Sequence, residues 1–331
     1  MLTPTDQLHF IGIDIAKDSF AAAIHGATTK SFPNSPQGAA LLAAWARQHY
    51  PAGECRCVCE STSQYSRFFA HNLASGPGFS CAIVPPQRVR YAARAFARHT
   101  KTDSVDAKTI LAFAQQTCPE PYCRPSPANA KLDALRAAIE DLKTLSAELA
   151  NRQHLLPFTP DAPPAVVQAF TQIQAVLAQE LARLGAQIEL LFADNADLAV
   201  QRQLLQSIPG IGPVLSVELL CVSEVLQQRQ PKQLAQYAGL APAHRQSGAS
   251  IKGKSMITHA GNRRLRKLLY MAAVSAARHH PHLREFYARL LSAGKPKKLA
   301  LIAVARKLLL LAQAVMLSSV PYDRTFGKRA A

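Results

Sequence analysis

Phe10-Ile11-Gly12-Ile13-Asp14-Ile15 sets a carboxylate inside a short, β-branched, apolar run. A carboxylate is costly to bury unpaired in a strand, so Asp14 needs a partner. Outward from this stretch, residues 20–25 and 28–32 follow as antiparallel neighbours across turns at Lys17-Asp18 and Gly26, which makes the opening a β-meander. A helical segment over 38–49, a strand over 55–59 ending in Glu60, a helix over 65–73 and a strand over 80–84 come next, and Pro85-Pro86 stops the last of these. Strands separated by helices after an antiparallel start predict a mixed α/β sheet.

Three further acids are placed to join Asp14. Glu60 stands at the equivalent end of a second strand, before the polar Ser61-Thr62-Ser63 turn. In Lys101-Thr102-Asp103-Ser104-Val105-Asp106-Ala107-Lys108 the two aspartates are three apart, so a helix points both the same way. Carboxylates gathered at strand ends and a helix start make an oxygen-rich pocket suited to Mg²⁺ or Mn²⁺. Taken singly, Asp103 reads first as a helix cap and Asp14 as a partner of Lys17. Their order, in a chain with 38 Lys and Arg against 21 Asp and Glu and a net charge of +17, points instead to metal-assisted phosphodiester chemistry.

Such a charge favours a polyanion, nucleic acid first. A membrane surface is disfavoured, because the charge is not gathered on one amphipathic helix or beside an anchor. The start of the chain lacks the pattern of a secretory signal, and the apolar run 299–317 is broken by Arg306 and Lys307 and reads as a buried helix, so a cytoplasmic protein is expected. Seven scattered cysteines imply no disulfide framework, and the alternating Cys55, Cys57 and Cys59 read as small buried residues on one strand face rather than zinc ligands.

The positive charge is patterned. Residues 89–116 read as helical, and Arg90, Arg94 and Arg98 stack on one face, with Lys101 just beyond. Between Glu224 and Asp323 the single acid is Glu285, which leaves Arg245, Lys252, Lys254, Arg263 and Arg264 as candidate nucleic-acid contacts. Between the acidic and basic regions, Pro119, Pro121, Pro125 and Pro127 mark a linker. Leu132, Leu135, Ile139, Leu142 and Leu149, then Leu177, Leu181, Leu184, Ile188 and Leu191, follow near-heptad spacing, which predicts a helical hairpin or coiled-coil spacer. Further on, Ser207-Ile208-Pro209-Gly210-Ile211-Gly212-Pro213 resembles a helix-hairpin-helix turn, whose glycines let amides approach a phosphate. Residues 238–254 form a small, polar, glycine-rich loop in which a serine among cations is able to attack phosphorus, although a serine there is also an ordinary turn residue.

In order and spacing, Ile11-Gly12-Ile13-Asp14-Ile15-Ala16-Lys17, Cys59-Glu60-Ser61-Thr62, Lys101 to Ala107, Ile208-Pro209-Gly210-Ile211-Gly212, Ala238-Gly239-Leu240-Ala241-Pro242, Ser247-Gly248 and Gly261-Asn262 with Leu265-Arg266 resemble the DEDD transposases of the insertion-sequence one-ten family, its eleven-eleven branch and the related Piv-type DNA invertases. The resemblance implies a RuvC-like, ribonuclease-H fold over residues 1–125, a coiled-coil helical spacer over 126–203 and a mainly α C-terminal transposase domain over 204–331. It implies metal binding by Asp14, Glu60, Asp103 and Asp106, and a covalent link from Ser247 to DNA, with Ser250 and Ser255 off the family position. It further implies donor and target DNA as substrates, a structured bridge RNA as guide, and a homo-oligomer, dimer or tetramer, that shares active sites between subunits. The chain departs from the family at Ser61-Thr62-Ser63, where Ala-Thr-Gly is frequent, and at Pro85, where asparagine is frequent. Competing readings are an invertase that needs no guide RNA, a metal-dependent junction nuclease that uses water, and a non-catalytic nucleic-acid scaffold. The nuclease has no use for the serine loop, and the scaffold has none for the acids.

Overall fold

Leu8–Ile15 forms strand β1, antiparallel to β2 (Ser19–Ala23), which pairs antiparallel with β3 (Lys30–Pro33). On its other side β1 runs parallel to β4 (Glu54–Glu60), and β4 runs parallel to β5 (Phe79–Val84), giving a five-stranded sheet of order β3-β2-β1-β4-β5. This computed structural model describes residues 8–73, 78–95, 103–159, 163–243, 246–247, 251–252, 256–257 and 261–323, and among these it describes the backbone alone at 103–104, 243, 246–247, 251–252 and 256. The chain divides into two compact units, Met1–Arg124 and Pro125–Ala331.

In the first unit the alternation of the strands separates two faces. Ile11, Ile13 and Ile15 share one face with Cys55, Cys57 and Cys59 and pack on Leu42 and Trp45 of helix α1 (Pro36–His49) and Phe69 of helix α2 (Ser63–Leu73). Helix α1 begins where Ser35 Oγ accepts the Gly38 amide and Pro36 occupies the first turn. The opposite face carries Phe10, Gly12, Val58, Ala82 and, on β2, Ala21 and Ala23. The helical pattern expected over 89–116 resolves into helices α3 (Pro86–Ala95) and α4 (Asp103–Thr117), the first starting earlier because Pro86 suits an opening turn.

Helix α4 lays Ala107, Ile110, Leu111 and Ala114 on this second face. It comes so close that a Cβ at Gly12 would overlap the Ala107 carbonyl oxygen and the Leu111 amide nitrogen. These are backbone atoms, so the clash is relieved only by moving the helix. Gly12→Ala is therefore expected to cost about 1–3 kcal/mol through overpacking, read as a lower denaturant midpoint. An unchanged midpoint would show that α4 shifts freely.

The second unit opens with a helical hairpin, α5 (Pro127–Leu155) and α6 (Pro164–Ala193), joined after the 3-10 turn Leu156–Phe158. Ser146 exchanges hydrogen bonds with Gln174, and Gln153 Nε2 donates to Thr171 Oγ1, so the helices run antiparallel. Helices α7 (Ala196–Gln206), α8 (Pro213–Leu220), α9 (Ser223–Gln228) and α10 (Pro231–Tyr237) follow. Four two-residue strands come next, β6 (Pro242–Ala243), β7 (Gln246–Ser247), β8 (Ile251–Lys252) and β9 (Met256–Ile257). Helices α11 (Arg263–His279), α12 (Pro281–Ser292) and α13 (Lys297–Ser318) complete the unit. Leu132, Ile188 and Phe192 at the base of the hairpin belong to the same core as Leu205, Leu219, Leu226, Leu269 and Leu308, so hairpin and C-terminal helices form one unit. Among the described residues α13 is the one helix long and apolar enough to cross a membrane, and its Val304, Leu308, Leu309 and Val315 are fully buried in this core.

One acid fastens the hairpin base to the helices behind it. Glu218 of α8 is 3% exposed and meets Arg264 Nε of α11 at 2.6 Å and Arg136 Nη1 of α5 at 3.5 Å. Arg136 also bonds Asp133, and Arg264 reaches Glu140 at 2.8 Å. Removing one member of a buried ion cluster leaves the others desolvated and unpaired. Glu218→Ala is expected to lower unfolding free energy by about 3–5 kcal/mol. A loss below about 1 kcal/mol, the range of exposed pairs, would show the cluster to be solvent-screened.

Candidate active site and nucleic-acid interface

Asp14 and Glu60 are the next residues after Ile13 and Cys59, which are register partners on adjacent parallel strands. They therefore sit side by side at the C-terminal ends of β1 and β4, about 4.8 Å apart by strand spacing. Asp14 follows Gly12 and Glu60 follows Val58 by one strand period, which puts both acids on the α4 face. Both side chains are partly exposed at the sheet end.

Helix α4 runs antiparallel to β1, because Ala107 lies over Gly12 while Ile110, Phe113 and Ala114 pack with Phe10. Its first turn, with Asp103 and the partly exposed Asp106, is thereby directed to the end of β1 that carries Asp14. The architecture sets the strand ends of Asp14 and Glu60 and the start of α4 at one edge. Among the described residues no three His, Cys, Asp or Glu side chains form a group able to hold a metal ion, and the Asp103 side chain lies outside them. The donor chemistry at this edge is that of hard carboxylate oxygens. The neighbouring thiols offer no alternative. Burial pushes Cys57 well above the usual thiol range, and Cys59 is raised by its contact with Cys81 and by burial, so both stay protonated.

Arg90 and Arg94 stand exposed on one face of α3, and neither has an ion-pair partner among the described residues; Arg98 and Lys101 lie outside those residues. The residue that sequence reasoning passed over there is Tyr91, 67% exposed between the two arginines. Its signal was an aromatic inside a basic stripe. Arg263 is exposed at the start of α11, whereas Arg264, also expected at a nucleic-acid contact, is held by Glu140 and Glu218. Its charge is thus already compensated within the protein. Arg245 and Lys254 lie outside the described residues, and Lys252 is placed by backbone alone.

Where a plain loop was expected, the structure has nested strand pairs: β6 pairs antiparallel with β9, and β7 with β8, in the register Ser247↔Ile251 and Gln246↔Lys252. Ser247 is held by its backbone on this ribbon. In the turn resembling a helix-hairpin-helix, Gly210 has φ +106° and faces α11, where a Cβ would crowd Ala276. That glycine serves packing, while the exposed Gly212 opens α8 with free space beyond it. Ser207 Oγ accepts the Tyr322 amide, tying the end of the chain to the turn.

Residues 11–156 match the model of a transposase family, the DEDD transposases of IS110, and residues 202–288 match that of the transposase IS116/IS110/IS902 family. The chain belongs to the IS110 family of transposases. The pilin gene-inverting protein of Moraxella bovis is 32% identical over 322 residues, 95% of this chain and 98% of that protein, and its Moraxella lacunata counterpart matches to the same extent. An insertion element IS116 protein of Streptomyces clavuligerus is 35% identical over 106 residues, 32% of this chain and 26% of its own length. This IS110-family transposase is therefore a DNA-cutting and DNA-rejoining enzyme of the DNA recombination class.

At the edge of the acidic site the transposase carries a strained residue. Ser63, three positions after Glu60, has φ +50°, in the left-handed region that favours glycine, at the place where the family often has glycine. Ser63→Gly is expected to raise stability by roughly 0.5–1 kcal/mol, strain relief exceeding the entropy glycine adds to the unfolded chain. Thermal unfolding checks this, and a lowered melting temperature would count against strain at this position.

Proposed function

We propose that this transposase cuts and rejoins DNA through a covalent serine–DNA intermediate, with Ser247 as nucleophile and Asp14, Glu60, Asp103 and Asp106 holding a divalent cation, Mg²⁺ or Mn²⁺. The supporting observation is that Asp14 and Glu60 stand on adjacent strand ends and that the helix carrying Asp103 and Asp106 begins toward the same edge. The strand order, antiparallel across β3-β2-β1 and parallel across β1-β4-β5, supports a RuvC-like reading of the first unit. Since the described acids alone do not close into a three-ligand group, the reading relies on Asp103 and on DNA phosphate to complete the set. A bound divalent cation supplies Lewis-acid polarisation of the phosphate.

Ser247 attacks phosphorus, its hydroxyl proton leaves, and the bond from phosphorus to the departing sugar oxygen breaks. Attack by an incoming sugar hydroxyl reverses the step, so phosphodiester energy is conserved. Arg245, Lys252 and Lys254 are the cations nearest to Ser247 in sequence and offset the charge developing on the phosphate. Arg90, Arg94, Arg98, Lys101 and Arg263 hold nucleic-acid backbone, and the exposed Ile173, Val176 and Phe158 of the antiparallel spacer support self-association into a homo-oligomer.

The guide is a bridge RNA pairing with donor and target DNA. A guide-free invertase is the second reading, favoured by the pilin gene-inverting proteins that match along almost their whole length. Recombination that persists after nuclease removal of all RNA selects the invertase.

The chemistry is tested by denaturing gel after incubation with substrate DNA. Wild-type protein is expected to carry DNA, Ser247→Ala none, and Asp14→Asn or Asp106→Asn at least a hundredfold less while remaining folded, in keeping with the several kcal/mol that metal-assisted charge stabilisation contributes. An adduct that survives in Ser247→Ala and disappears in Ser250→Ala or Ser255→Ala overturns the serine assignment.

A further inference from the structure

Helix α12 ends with Gly294 at φ +73°, the Gly294 amide donating to the Leu291 carbonyl and the Lys295 amide to the Leu290 carbonyl. This paired closure turns the chain through Lys295 and Pro296 directly into α13, which starts with Lys297 and Lys298. All three lysines are exposed, and none has an ion-pair or side-chain hydrogen-bond partner among the described residues. The one acid between Glu224 and Asp323 is Glu285, more than a turn back inside α12.

Contacts at the other end of these helices fix where the lysines stand. The rings of His280, which ends α11, and Tyr322, just beyond α13, lie 4.9 Å apart. Lys307 Nζ of α13 lies 4.1 Å from the centre of the Phe286 ring of α12, as an antiparallel pair requires. That pairing sets His280 about level with Gln313, so α11 ends beside the last turns of α13 and the two helices run in the same direction. Counted back from there, the 17 residues of α11 rise about 26 Å, which brings its start to within about one turn of the start of α13. The start of α11 is also where the ribbon bearing Ser247 rejoins the bundle, the Asn262 amide donating to the Tyr237 carbonyl at 2.7 Å. Exposed Arg263 and Lys267 on α11, and Lys295, Lys297 and Lys298 before and on α13, therefore border the end of the unit from which Ser247 is presented.

We infer that Lys295, Lys297 and Lys298 form a second backbone-contact surface for duplex DNA, working with Arg263 and Lys267 to hold the duplex whose phosphate meets Ser247. The identity of that phosphate rests on the role proposed above for Ser247; the contact itself does not. Two rows of cations on packed helices, with axes about 8–10 Å apart, suit the phosphates bordering a groove of roughly 6–12 Å. Single-stranded nucleic acid is bound on exposed aromatic platforms, and none adjoins this cluster among the described residues: Phe286 is covered by Lys307.

The test uses full-length protein and a short DNA duplex in chelator, where binding proceeds without strand cutting. The variant carrying Lys295→Ala, Lys297→Ala and Lys298→Ala is expected to flatten the log–log dependence of affinity on salt by about 2–3 units, near 0.9 for each phosphate that is no longer neutralised. A control carrying Lys131→Ala and Lys143→Ala, exposed on α5, is expected to leave the slope unchanged. An unchanged slope in the triple variant overturns the proposal, as does an equal change in the control. A change confined to an RNA duplex of the same length overturns the assignment to DNA. Failure of the serine mechanism shows separately, as an adduct that persists in Ser247→Ala, and leaves the salt result standing.

Discussion

The approach of helix α4 to strand β1 at Gly12 is the constraint on which the first unit depends. The surfaces in contact are stripped to small groups, Gly12 on β1, Ala21 and Ala23 on β2 and Ala107 on α4, so backbone lies almost on backbone. At that separation the helix has little freedom to slide or tilt, because interiors are packed as densely as organic crystals. Its first turn is consequently set against the ends of β1 and β4. The strand ends that carry Asp14 and Glu60 and the helix start that carries Asp106 share one edge because a side chain is missing beneath them.

In the second unit the corresponding device is electrostatic. From Glu224 to Asp323 the chain offers almost no acid of its own, so the cations of α11 that must be buried are compensated from elsewhere, by Glu218 on α8 and Glu140 on α5. A buried cluster of this kind adds less net stability than its Coulomb attraction suggests, because desolvation opposes it. It does single out one arrangement, since any other seating of α5 on α8 and α11 strands a charge. The cations left over are those on the outside, and their spread over α11 and the α12–α13 turn reflects which positions the acids do not reach.

Much of this was legible from residues alone. The meander, the parallel strands and the two faces of β4 follow from periods of two, and the long helices follow from near-heptad leucines, because burial on one face is a local pattern. Family membership was legible in the motifs themselves. What sequence could not supply depends on partners distant in the chain. Arg264 reads as a free cation until Glu218 and Glu140 are seen beside it. Gly210 reads as a phosphate-binding glycine until Ala276 is found against it. The hairpin reads as a separate spacer until Leu132, Ile188 and Phe192 are counted in the C-terminal core. The strand pairs around Ser247 are two residues long, too short for any period to show.

Carboxylates and outward cations answer opposite electrostatic demands of a DNA phosphodiester. A phosphodiester is repelled by a cluster of carboxylates and attracted by a field of lysines and arginines, so an acidic edge alone would exclude DNA and a cationic face alone would hold it without activating it. Attraction between exposed cations and DNA is long-ranged and is screened within about 10 Å at 0.1 M salt, whereas a bound cation at the acidic edge acts at contact distance and resists such screening. On the function proposed above, capture and chemistry are separable by condition: salt acts on the first through the outward cations, and chelation would act on the second through the carboxylates. The lysines at the start of α13 belong to a different fold unit from the acids of β1, β4 and α4, so within the second unit they face no competing carboxylate other than Glu285 between Glu224 and Asp323.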